Sequence, residues 1–120
     1  MAEPTVDQRI KKELQRLKKI LVKVPDEKKQ LANNVARRIA FMQITLEDLE
    51  RDILENGYSE MFSQQKEIVY ERERPAVRIY NSTIKNYAAA CKQLVDLIPA
   101  SQLADEKDEL MAVVKSWTRK

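Results

Sequence analysis

Histidine is absent from this chain of 120 residues, and cysteine and glycine each occur once. Without histidine there is no Cys/His zinc set, and the commonest general base and usual partner of a Ser or Cys nucleophile is missing. A lone Cys91 excludes an intramolecular disulfide, and a lone Gly57 cannot supply the glycine-rich loops that cradle phosphates or the elbow of a serine hydrolase. The scarcity of Gly and Pro also argues against a turn-rich β fold. No apolar run approaches the roughly 20 residues of a membrane span, and "MAEPTVDQRIKK" lacks the apolar stretch of a signal peptide. The reading is a cytoplasmic, non-enzymatic protein without cofactor or metal. Acidic clusters such as "EDLERD" have the helical spacing of a solvated face.

What is present is charge and helical periodicity. Charged residues make up 34% and hydrophobic residues 43% of the chain, enough for one modest core and one domain over 1–120. Residues 1–24 read as a basic amphipathic helix, with Ile10, Leu14, Leu17, Leu21 and Val24 on one face, Thr5 or Asp7 as cap and Pro25 as stop. A second helix starts at Pro25 or Asp26 and runs to about Asn56. Its seam is Leu31, Val35, Ile39, Met42, Leu46, Leu49 and Ile53, and Gly57 ends it. At about 45 Å such a helix is long for a lone small core, which implies partners along it.

From Tyr58 to Arg74 the period breaks into "MF" and "IVY" around "SQQKE", a pattern that fits a short β-hairpin or a surface loop. Pro75 then opens a third helix whose seam is Val77, Tyr80, Ile84, Tyr87, Cys91, Leu94 and Ile98, with Ala88, Ala89 and Ala90 small enough to admit a close neighbour. Residues 25–99 thus form a central helical hairpin and oligomerisation core. Residues 100–120 read as a C-terminal helix with Ser101 as cap, Leu103, Leu110, Val113 or Val114 and Trp117 as its apolar side, and Lys115, Arg119 and Lys120 at its end. The expected fold class is all-α.

The charge is uneven. Residues 1–24 hold seven Lys and Arg against three Asp and Glu, a net +4, leaving −1 for the rest. The outward face of the first helix carries Arg9, Lys11, Lys12, Arg16, Lys18, Lys19 and Lys23 with Gln8 and Gln15 between them, and is read as free of acids. A phosphate-binding face and a solvated amphipathic face both fit this pattern. A membrane-surface helix fits less well, because its apolar side has no large aromatics. Arg37 and Arg38 could extend a DNA-facing surface or pair with acids of a neighbouring chain. Tyr80 and Tyr87 read as seam residues rather than a base-stacking platform.

In "RPAVRIYNSTIKNYAAACKQLVDLIP", the order Pro75-Ala76, Tyr80-Asn81, Ile84-Lys85, Tyr87, Lys92-Gln93-Leu94 and Leu97-Ile98-Pro99 resembles the C-terminal half of a family of phage terminase small subunits. The preceding "LEDLERDILENG" is similar as well, so the likeness covers about residues 45 to 99. It implies a protein that recognises double-stranded viral DNA, assembles as a homo-oligomeric ring and delivers that DNA to the large terminase subunit, the ATPase and nuclease of genome packaging, in the host bacterial cytoplasm. The likeness does not distinguish a phage, prophage or satellite origin. The expected phosphate contacts are Arg9, Lys11, Lys12, Arg16, Lys18 and Lys19, with Arg37 and Arg38 beside them. The expected oligomer or core seam is Met42, Leu46, Leu49, Ile53, Tyr80, Ile84, Tyr87 and Leu94. The link "VKVPDEKK" and the length of the second helix do not match a helix-turn-helix module. A helical protein–protein adaptor and a small DNA-binding transcriptional regulator are the alternatives.

Overall fold

The computed structural model describes residues 3–65, 68–99 and 113. Among these, α1 (Val6–Leu21), a 3-10 turn (Asp26–Lys28), α2 (Lys29–Asn56), β1 (Ser59–Gln65), β2 (Ile68–Glu73) and α3 (Pro75–Asp96) follow in order. The chain is therefore mostly helical, with a small antiparallel sheet inserted between the two long helices. The expected C-terminal helix of residues 100–120, with Ser101 and Trp117, lies outside the described residues apart from Val113.

Local chemistry sets the boundaries. Thr5 caps α1 reciprocally: its hydroxyl accepts from the Gln8 N–H at 3.1 Å, and the Gln8 side chain accepts from the Thr5 N–H at 2.9 Å. Pro25 is extended and separates α1 from the turn that leads into α2. α2 ends at Gly57, whose φ of 83° and ψ of −173° belong to a region essentially reserved for glycine. Pro75 occupies the first turn of α3.

The core lies where α1 and α3 pack on α2. Leu17, Leu21 and Val24 meet Ala32, Ala36 and Ala40 together with Ile39, Tyr87, Ala88, Cys91, Leu94 and Ile98. The three alanines recur every four residues and are fully buried, so one side of α2 is a shallow stripe against which a neighbour can lie close. The expected seam of α2 faces inward from Val35 to Ile53, with Val35, Ile39, Leu46 and Ile53 buried and Met42 and Leu49 half-buried, and departs only at Leu31. Leu31 is 56% exposed and Ala32 takes the inward position, because a 3.6-residue period drifts off a seam stepped by three and four. On α3 only Ala88 of the three alanines is buried; Ala89 is exposed and Ala90 half-buried. Burial pushes the Cys91 thiol up to about 11 and raises the Tyr87 phenol as well, and the two groups share a hydrogen bond.

The hairpin is rooted by Arg74. Its guanidinium donates to the Gly57 carbonyl at 2.9 Å and to both Asp52 carboxylate oxygens at 2.9 and 2.8 Å, while its backbone N–H donates to the Tyr58 carbonyl. Hydrogen bonds from Arg74 first and Asn56 second hold the Asp52 carboxyl below its ordinary range. Beyond this root the two strands pair with each other in the register Met61↔Glu71, Phe62↔Tyr70 and Ser63↔Val69, with an irregularity between Ser63 and Gln65.

Candidate nucleic-acid interface

The cations of α1 fall into two groups. Arg9 is turned toward α2, where Nη1 donates to Asp48 Oδ1 at 2.8 Å and Nη2 to Glu47 Oε1 at 3.1 Å. The bonds to Asp48 and then Glu47 raise the pKa of a guanidinium that is always charged, and its side chain is 21% exposed. It bridges the two helices, so its guanidinium is engaged by these two carboxylates, and it lines the same groove as Lys12 and Lys19. Arg16 bonds Glu13 through Nε at 3.0 Å, and Lys11 lies 3.0 Å from Asp7. The face is therefore not free of acids, since Glu13 sits beside Arg16 with a carboxylate already engaged.

Lys12, Lys18 and Lys19 are exposed and hold no ion pair or hydrogen bond within the described residues. Lys12 and Lys19 stand one heptad apart, about 10.5 Å along the helix. With Gln8, Gln15 and Arg16 they line an open groove of about 800 Å³ whose other side is formed by Ile44 and Glu47 of α2. Amide and ammonium donors alternate along this wall. Both groups can donate to phosphate oxygens, and ammonium groups displace the condensed counterions of a duplex. Lys11 and Arg16 can contribute as well, because exposed ion pairs are held by about 1 kcal/mol or less.

Compared with known proteins, the chain matches no family, no curated protein and no solved structure.

The remaining expected site residues lie elsewhere. Arg37 donates to Asn34 Oδ1 at 3.0 Å on the exposed side of α2. Arg38 lines a separate groove between α2 and α3, away from the α1 wall. Of the expected seam, Leu46, Ile53, Tyr87 and Leu94 are buried, and Met42, Leu49, Tyr80 and Ile84 are half-buried. Tyr80 donates to Glu50 Oε2 at 3.1 Å, and burial followed by that carboxylate raises its pKa. Much of this seam is filled by the chain's own helices, so the length of α2 does not by itself require a second subunit. No helix among the described residues is long and apolar enough to cross a membrane.

The sequence reading missed two features. One is the inward commitment of Arg9, whose only signal was the acidic pair Glu47 and Asp48 on a helix long enough to fold back beside α1. The other is the cluster on the hairpin, where the Phe62 and Tyr70 rings meet edge to face at 5.7 Å and the Arg72 guanidinium lies 3.6 Å over the Phe62 ring. Arg72 Nε also donates to Glu60 Oε2 at 2.8 Å. Alternation in "EMFS" and "VYER" was the available signal.

Proposed function

We propose that this protein is a small terminase subunit that binds double-stranded viral DNA and hands it to the large terminase ATPase and nuclease in the cytoplasm of the host. The observation that carries the reading is the basic surface of α1, where Lys12 and Lys19 line the groove beside Gln8 and Gln15 and Lys18 is exposed outside it, all three without acidic partners among the described residues. An anionic rod satisfies such a surface without any base-specific geometry. The resemblance of residues 45 to 99 to phage small terminases supplies the packaging role. In this reading the chain is non-enzymatic, works as a homo-oligomeric ring and contributes positioning, while the chemistry belongs to the large subunit.

Binding of a labelled 30-base-pair duplex between 50 and 200 mM salt tests the reading. Three lysine contacts per protomer predict a slope of log affinity against log salt of about −2.7, or roughly a 40-fold loss over that range. Replacing Lys12, Lys18 and Lys19 together by Gln lowers the measured slope by about that amount. An unchanged slope in the triple variant rejects α1 as the DNA-binding element, and salt-insensitive association with protein alone would favour the adaptor.

A further inference from the structure

β1 and β2 form a two-stranded sheet that makes no substantial contact with any described helix. A hairpin of this kind is marginal in water unless something packs on it. Beyond its root at Gly57 and Arg74 the hairpin stands off the helices as an arm. One face of the arm carries the Phe62, Tyr70 and Arg72 cluster. The other presents Met61 and Val69, 65% and 56% exposed, beside Glu71. Glu71 has no ion pair among the described residues.

A complementary surface lies on the same chain. The α2–α3 groove, about 560 Å³, has Val35, Met42, Ala89 and Ala90 in its wall, exposed Leu31 at its rim and Arg38 as its one charged lining residue. Arg38 also has no acidic partner among the described residues. Eighteen residues of α2 separate Arg38 from the root of the arm at Asn56, about 27 Å of helix, whereas a seven-residue strand spans about 23 Å and the hairpin makes no substantial contact with α2 or α3. It cannot reach its own groove.

We infer that the arm docks in the α2–α3 groove of a second copy of this chain, with Met61 and Val69 covering the apolar wall and Glu71 meeting Arg38. The two surfaces differ, so the contact is head to tail. Repeated, it grows into a filament or closes into a ring, of which two copies exchanging arms reciprocally is the smallest. The inference rests on the homo-oligomeric reading above and identifies which surfaces would build the assembly.

Cross-linking of the full chain tests it. Met61→Cys and Ala89→Cys are both at exposed positions, and native Cys91 is 2% exposed and out of reach of oxidant. Under mild oxidation the double variant is expected to give a ladder of dimers, trimers and higher species on a denaturing gel, and each single variant none. Absence of cross-linked species from the double variant, or dimers from either single variant alone, overturns the docking. Light scattering provides the second measurement: Glu71→Arg or Arg38→Glu should lower the mass toward the 14.0 kDa of one chain, and the combined swap should restore it. Single variants that keep the wild-type mass, or a wild type already at 14.0 kDa, reject the inference.

The lysine triple variant keeps the two readings apart, because its ladder must survive while its salt slope falls. A lost ladder with an intact slope removes arm docking alone. A wild type without a salt slope that still forms the ladder removes DNA binding alone.

Discussion

Replacing Arg9 by Gln separates the clamp from the DNA-facing wall. The guanidinium makes two charge-assisted hydrogen bonds, to Asp48 and Glu47, from a side chain that is 21% exposed to carboxylates that are each 43% exposed. A buried pair would cost several kcal/mol to break, whereas solvent screening at this site brings the two bonds down to about 1 kcal/mol together. For a domain of this size that corresponds to a drop of about 4 °C in Tm. Thermal unfolding followed by circular dichroism at 222 nm measures it, and the difference from wild type should shrink in 1 M salt, where the Debye length is about 3 Å. The DNA salt slope should stay at its wild-type value. An unchanged Tm with a slope reduced by about one contact would refute the assignment and place Arg9 in the phosphate-binding set.

Three further outcomes follow from the packing and the turn. Leu94 is fully buried, so Leu94→Ala should lose about 3 kcal/mol in urea unfolding through lost transfer energy and the cavity left behind. Gly57→Ala meets no atom within 4 Å, yet the backbone angles alone should cost about 1–3 kcal/mol by the same measurement. Burial raises the Cys91 thiol from its ordinary 9.0 to about 11. The unfolded chain therefore gives up the thiol proton before the folded one does, and stability should fall as pH rises from about 9 toward 11. In a thiol-reagent assay at pH 8 the native protein should remain unlabelled and the denatured protein should react at once.

The helices were legible because their signals are local. Thr5 with Gln8 three residues on, Pro25, the single Gly57 and Pro75 each act within one turn of backbone, and each stands at a boundary in the structure. The apolar steps of α3 likewise placed Val77, Tyr87, Cys91, Leu94 and Ile98 in the core. The segment between the long helices fitted a hairpin or a loop equally well. The paired register of Phe62 with Tyr70 resolves that choice, since strand pairing depends on residues that the linear pattern does not connect.

Composition and periodicity alone determined the helical class, the positions of the breaks and the concentration of positive charge in residues 1–24. Tertiary structure decided which cations are available. Arg9 and Lys12 look alike in sequence, three residues apart on one helix, but folding brings Glu47 and Asp48 within hydrogen-bonding distance of the first and leaves the second without an acidic partner. Packing likewise put Ala32, Ala36 and Ala40 in the core while Leu31 stayed exposed, because the depth at which two helices meet is set by the smallest side chains between them.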